Sequence, residues 1–305
     1  MPAGLSLLGQ GYPFRLAELT MIFVILAASL NLLTGTAGLV SLGHAAFYAV
    51  GAYTAALVSL RFGGGLELSL PASAAVTGLV AFLVAIPSIR LVRIFFTVAT
   101  LSVGEIIHVV ITNWDGLTRG PMGLRGIRQP ALFGFDLGSR LGTYYVIAIV
   151  CLACVWIVWR LTHSYYGAAL RALREDDQSA DAMGIPVGRL KLGVCAIAGA
   201  LAGVAGCLLA HSTGYISPDM FGIDESILML TMVVTGGLGS VPGAVLGAAV
   251  LILVPELGRE AGHFRMVLVG LVLYAAILLR PAGVIGEALA LRFARASSQP
   301  SRSLP

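Results

Sequence analysis

Apolar runs alternate with polar segments along almost the whole chain. A membrane-spanning helix needs about 20 apolar residues. Runs of that kind cover Phe14–Leu33, Ala45–Leu60, Ala72–Ile89, Ile94–Ile111, Gly142–Leu161 and Leu192–Ala210. Two shorter runs follow, Ile227–Thr235 and Ala244–Val254, and a last one covers Met266–Leu279. RFGGGLELSLP, from Arg61 to Pro71, reads as a polar turn between the second and third runs. The pattern predicts an all-α, polytopic membrane helix bundle of about nine spans, some of them interrupted.

The interruptions are Gly-rich. TGTAGLVSLGH separates the first two runs (Thr34–His44), and TGGLGSVPG separates the two short ones (Thr235–Gly243). A broken helix leaves backbone groups that must face protein or a water-filled cavity rather than lipid. A tight connection between two spans is equally compatible with either stretch. Both begin with Thr-Gly, and paired interruptions can mark a substrate route. Gly35, Gly38, His44, Gly236, Gly237 and Gly239 are therefore candidates to line a pathway. Glu105 and His108 join them, because i and i+3 fall on one helix face and ionisable groups at membrane depth usually face a bundle interior or a pathway. A structural hydrogen bond between helices explains that pair equally well. Gly199 and Gly203 are spaced for close helix approach.

The stretch His163–Leu190, HSYYGAALRALREDDQSADAMGIPVGRL, is too polar for a bilayer, and spanning runs flank it on both sides. Ala168 to Arg174 is built from strong helix formers. Asp176 or Asp177 can cap a second, short helix. Gly184 suits the left-handed position that ends it, and Pro186 prevents its continuation. Leu173, Ala180 and Met183 are expected to form a small apolar face for a partner. An ordinary solvated loop is the competing reading. A second polar stretch, Asn113 to Leu141, is rich in glycine without the spacing of a phosphate loop, and reads as a compact, irregular surface segment.

Composition agrees with the pattern. Of 305 residues 58% are hydrophobic and 11% charged, with a mean hydropathy of +0.93; soluble domains carry about 25% charged residues. The whole chain, 1–305, reads as a single transmembrane domain that contains the 163–190 loop. Net charge is +4 and the pI about 9.0, but the arginines sit at membrane edges, so nucleic acid is not an expected partner. Lys191 is the single lysine. No basic region precedes the first apolar run, so no cleaved signal peptide is expected. Cys151 and Cys154 form a C-x-x-C inside an apolar run without a second ligand pair; with Cys195 and Cys207 they read as packing residues. No metal site or cofactor is expected. Basic residues in short loops mark the cytoplasmic side. Arg90 and Arg93, the 163–190 loop and the C-terminal arginines (Arg280, Arg292, Arg295, Arg302) all fall on one face by simple alternation. Both Gly-rich interruptions fall on that face too, and the loops from Asn113 and His211 on the other.

Five stretches carry a family resemblance: LNLLTGTAGLVSLGHAAFYAVGAYTAAL (Leu30–Leu57), ATLSVGEIIHVVITNWDGLTRGPMGLRGI (Ala99–Ile127), YYGAALRALREDDQSADAMGIPVGRLKL (Tyr165–Leu192), MVVTGGLGSVPGAVLGA (Met232–Ala248) and RPAGVIG (Arg280–Gly286). Together they resemble the permease subunits of ABC importers for branched-chain amino acids, of the LivM type. The resemblance implies a bacterial inner-membrane protein. Its partners would be a homologous second permease, two ATP-binding subunits and a periplasmic substrate-binding protein, all in a lipid bilayer. It also implies that the 163–190 loop is a cytoplasmic coupling loop docking on the ATPase, with Arg174, Asp177, Ala180, Met183 and Gly184 as contact residues. Importer permeases of several classes carry E-A-A-x-x-x-G there; this chain has Gln178, Ser179, Ala180 and Gly184, with Asp177 just before. Arg119 stands where the resemblance leads one to expect glycine in a T-G-G-S-like run, and it adds positive charge to the external loop.

A Walker-type phosphate loop needs G-x-x-x-x-G-K-[ST]. Lys191 is not in that setting, so ATP hydrolysis is assigned to a partner and the chain to a non-enzymatic role. Branched-chain or related hydrophobic amino acids are the expected cargo; urea and short amides are the alternative within the family. An ion-coupled secondary transporter would want more buried carboxylates and no elaborate polar loop. A membrane enzyme built on His44, Glu105, His108 and Asp115 lacks any metal or triad spacing.

Overall fold

In hydrocarbon every backbone N–H and C=O must find its partner within the chain, which turns long apolar runs into helices. The computed structural model describes residues 12–88, 93–132, 135–136, 140–257 and 270. Helix α1 (Tyr12–Leu30) runs on as a π-helix over Asn31–Thr36. After an extended stretch come α2 (His44–Phe62), α3 (Leu66–Ser88), α4 (Arg93–Asn113) and the single turn α5 (Asp115–Thr118). Helix α6 (Arg140–Thr162) leads into the polar hairpin α7 (Tyr165–Glu175) and α8 (Asp177–Ala182), followed by α9 (Val187–Thr213), α10 (Ile223–Gly236) and α11 (Val241–Leu257). Among the described residues six helices are long and apolar enough to cross a membrane. The expected short runs are α10 and α11; α10, at 14 residues, is about 21 Å long at 1.5 Å per residue. The last expected span, Met266–Leu279, the C-terminal arginines and Arg90 lie outside the described residues.

One boundary differs from the sequence reading. The expected polar turn at 61–71 is mostly helix, because α3 already begins at Leu66 and continues through Pro71. Gly63, at φ +62°, closes α2, and Ser69 Oγ donates to the Gly65 carbonyl at the new helix start.

Helices α1 and α9 form the interior; 72% of each spanning window is buried, against 17% for α4 and 28% for α3 and α6. Helix α9 packs on α3, α2 and α1. Small residues permit this. A Cβ at Gly203 would overlap the side chain of Thr77 and the carbonyl of Ser73, and Gly51 of α2 abuts Gly203 directly. Ser73 Oγ donates to the Gly51 carbonyl at 2.9 Å, tying α3 to α2 at the same crossing. All four cysteines are free and buried.

The chain alternates between the two ends of the bundle. At one end strands β1 (Leu124–Arg125) and β4 (Tyr215–Ile216) pair antiparallel, so the long glycine-rich loop is stitched to the loop after α9. Arg125 lies over the Tyr215 ring, 5.1 Å from its centre. Arg128 Nη1 donates to Gly63 at that end. A second small ladder pairs β2 (Ala131–Leu132) with β3 (Phe135–Asp136). The polar hairpin occupies the other end, where it meets the stretch following α1.

Candidate functional site

The α1 break is a true unwinding. Its backbone groups are satisfied by protein. Ala37 and Leu39 donate to Leu32 and Leu33, Thr34 Oγ1 donates to the Leu39 carbonyl at 3.2 Å, and Thr97 Oγ1 of α4 donates to Val40 at 3.0 Å. Leu42 N–H donates to Thr100 Oγ1 at 3.3 Å. Gly43 then rests against Thr100 and Gly104, midway along α4. Two threonines one turn apart on α4 thus substitute for a lost helical ladder.

The second break lies in the α10–α11 connection, and the two breaks meet. Gly239 N–H donates to Asn31 Oδ1 at 2.8 Å. A Cβ at Gly35 would overlap both Asn31 Oδ1 and Gly239 N, so the glycine permits the contact. Gly237 and Gly239 hold φ of +119° and +83°, backbone that favours glycine. Gly236 abuts Gly243, closing the α10–α11 hairpin.

The polar hairpin is joined to this junction. Arg174 Nη1 donates to the Gly35 carbonyl at 2.7 Å, and Gly38, at φ +73°, packs against the Arg174 stem. Helix α7 starts at Tyr165, three residues before the expected helical stretch from Ala168, and is fixed at that end by Arg171 Nη1 donating to the Thr162 carbonyl at 2.8 Å. Tyr166 OH donates to the Leu190 carbonyl at 3.4 Å; burial, with Cys195 nearby, pushes its phenol up to about 12, so it stays protonated. Asp176 caps α8, its carboxylate accepting from the amides of Gln178 and Ser179. Lys191 of α9, itself 7% exposed in its side chain, pairs with Asp177 at the start of α8. Gly184 sits at φ +81° with nothing around the place of a Cβ, and Pro186 precedes the first residue of α9.

The hairpin's apolar face differs from the expected one. Leu173 and Ala180 are 0% and 4% exposed, turned onto the bundle, whereas Met183 is 84% exposed. An amphipathic hairpin lying on its own bundle must spend its apolar stripe there. What it presents outward is Met183 and Tyr165, with Glu175, Asp176, Gln178, Ser179, Asp181 and Arg189 around them.

The other candidates separate into two places. His44 is fully buried; its Nε2 lies 2.8 Å from Ser29 Oγ, and its ring meets Phe47 edge-on. It therefore packs α2 against α1. Glu105 and His108 share one face of α4 as expected, 3.9 Å apart. Their side chains are 60% and 28% exposed, and they border a small crevice with Gly43, Ala46, Phe221 and Ser226. Ser226 Oγ accepts the Ala45 amide at 3.0 Å, joining the starts of α10 and α2 there. Sequence reasoning missed Asn31 and Lys191 as linking residues. The isolated polarity of each within or beside an apolar run was the available signal.

The family model for the branched-chain amino acid transport system / permease component matches residues 12–279. The chain is similar to the high-affinity branched-chain amino acid transport system permease protein LivM of Salmonella typhimurium, 33% identical over 293 residues that cover 88% of this chain and 69% of that protein. It is 32% identical to LivM of Escherichia coli over 311 residues, covering 92% and 73%. The permease protein LivH of Escherichia coli is 25% identical over 285 residues, covering 87% and 91%. No solved structure matches.

Proposed function

Because the chain belongs to the family of branched-chain amino acid transport permease components, we propose that it is the membrane-spanning permease subunit of an ABC importer. It carries branched-chain or related hydrophobic amino acids into the cytoplasm across a bacterial inner membrane. A homologous second permease completes the route, two ATP-binding subunits supply the energy, and a periplasmic binding protein delivers the cargo. The relatives LivM and LivH of Escherichia coli are both named as permease proteins of a high-affinity branched-chain amino acid transport system, which supports the pairing of two permeases.

The observation that carries the mechanism is the line of contacts Arg174–Gly35–Asn31–Gly239. A coupling loop works only if a push on it reaches the spans. Helix α7 is bonded to the carbonyl end of the π-helix in α1, and that π-helix is bonded to the α10–α11 turn. Movement of the hairpin on an ATPase therefore displaces both helix breaks together, in the part of the bundle where unwound backbone can rearrange at least cost. Arg174, Asp177, Met183 and Gly184 act at the hairpin: Met183 docks, and the others hold its position. Ala180 acts from the inner side, as packing. Gly35, Gly38, Gly236, Gly237 and Gly239 form the moving joint, and Glu105 and His108 border the route.

The test is purification of the tagged chain from its native membrane, followed by reconstitution. The complex should contain a second permease and ATP-binding subunits, and proteoliposomes should accumulate leucine only with ATP and binding protein. Arg174→Ala should leave assembly intact while ATP hydrolysis loses its stimulation by loaded binding protein. ATP-independent leucine uptake would overturn the reading.

A further inference from the structure

The outward faces of α4 and α6 are both apolar, but they differ in one chemical respect. Across the six spanning helices the carboxylates are Glu18, Glu67 and Glu105. Glu18 is buried and accepts from Ser212 at 2.7 Å; Glu67 lies in the first turn of α3. Glu105 lies 12 residues into the 21-residue α4, with its side chain 60% exposed. It projects into an open groove between α4 and α10, walled by Leu101, Ile106, Val109, Val110 and Ile223. An ionisable group at that depth is costly against hydrocarbon and is found facing protein or a water-filled cavity. The outward face of α6 carries no such group: Tyr145, Ile149, Leu152 and Trp156 are 61–70% exposed in one stripe. Tyr145 marks one end, and Trp156, Trp159 and Arg160 the other, the arrangement of a helix held at two membrane–water interfaces.

We infer that the α4 face around Glu105, with the adjoining start of α10, is where the second permease packs, and that the α6 face meets lipid. The inference rests on the two-permease reading above and adds which surface is used. The partner surface it calls for is an apolar helix pair carrying a hydrogen-bond donor or cation at the depth of Glu105. The translocation route then follows the same seam, since Glu105 and His108 already border the crevice beside Gly43 and Ser226. Helix α4, the least buried of the six spanning helices among the described residues, gains its cover in the assembly.

The experiment places photoreactive benzoylphenylalanine at Ile106 or Val109, and separately at Ile149 or Leu152, in the full complex in native membranes. Illumination should give adducts with the epitope-tagged second permease from positions 106 and 109 and none from 149 and 152. Glu105→Leu should reduce the second permease recovered with this chain without reducing the chain itself in the membrane. Adducts from 149 or 152 with no adducts from 106 and 109 would overturn the assignment while leaving the two-permease reading standing. Adducts between two copies of this chain, or with lipid alone, at 106 and 109 would overturn it equally. A purified complex that lacks any second permease would overturn the two-permease reading and the assignment with it.

Discussion

Asn31 accepts the amide of Gly239 across 208 positions of sequence, 2.8 Å apart, and so joins the break in α1 to the break between α10 and α11. A buried donor left without its acceptor costs about 1–3 kcal/mol. Asn31→Ala should therefore lower the melting temperature of the detergent-solubilised complex and reduce leucine uptake. Gly35→Ala should do the same by a different cause, since its Cβ overlaps Asn31 Oδ1 and Gly239 N. The two changes strike one contact, so the double variant should lose less than the sum of the single losses. Strict additivity in thermal melts would show that the two residues act separately.

The single lysine offers a directional test. Lys191 is 7% exposed in its side chain and its partner Asp177 is 36% exposed. Asp177→Asn removes the charged partner of a buried ammonium, whereas Lys191→Met removes one contact of a carboxylate that water can reach. The first should therefore destabilise more than the second, with losses of about 1.5–3 kcal/mol for a charged hydrogen bond. The combination Lys191→Met with Asp177→Leu should regain part of the loss, because a buried ion pair can often be replaced by apolar packing. Denaturation monitored by protease resistance of the 176–190 segment would read the order.

Much of this architecture was legible in the chain, for particular reasons. Hydropathy marks helices because lipid leaves a backbone no other choice, so α1, α2, α4 and α6 lie near their expected bounds, while α9 begins at Val187, inside the expected loop. The α8 cap was legible to within one residue because Asp is a good N-cap, and Gly184 because a glycine ending a helix takes the left-handed position. The start of α3 was missed because Gly and Pro were weighted over the Leu-rich run between them. The inward turn of Leu173 and Ala180 was missed for a different reason. Local periodicity identifies an apolar stripe but not which of two surfaces covers it. The shared Thr-Gly start of the two Gly-rich breaks pointed to a substrate route but not to their meeting; the residue that joins them, Asn31, lies before the first Gly-rich stretch, inside an apolar run.

Arg119 is the one non-glycine residue with positive φ among the described residues, at +59°. It ends α5. Holding a side-chain-bearing residue there costs on the order of 1 kcal/mol. Arg119→Gly should raise the melting temperature of the purified complex slightly, and a lower one would mean that the exposed guanidinium contributes more than its backbone costs. If the positive charge serves the external face, the same substitution should weaken binding-protein stimulation of ATP hydrolysis, with the difference shrinking as salt rises.

The last prediction concerns the turn that sets the hairpin's angle. Gly184 stands at φ +81° between the end of α8 and the start of α9, with its amide donating to Asp181 at 2.9 Å. Nothing lies where a Cβ would go, so any penalty for substitution comes from backbone conformation alone. Left-handed backbone costs an ordinary residue roughly 1–2 kcal/mol, asparagine less, and a β-branched residue most. Uptake should therefore fall in the order Gly184→Asn, Gly184→Ala, Gly184→Val, although no neighbouring group crowds valine at this open position. The spans should keep their melting behaviour in all three, because Arg174 still fixes the end of α7 and Lys191 the start of α8. What should change is the presentation of Met183, one residue earlier. Gly184→Val should thus lose stimulated ATP hydrolysis or release its ATP-binding subunits on purification. Ala180→Arg supplies the comparison: Ala180 is 4% exposed and packed inward, so a large cation there should dislodge α8 from the bundle and lower stability as well as uptake. If Gly184→Val leaves uptake and stimulated hydrolysis unaltered, the hairpin's geometry does not transmit the force, and the coupling role must pass to another element.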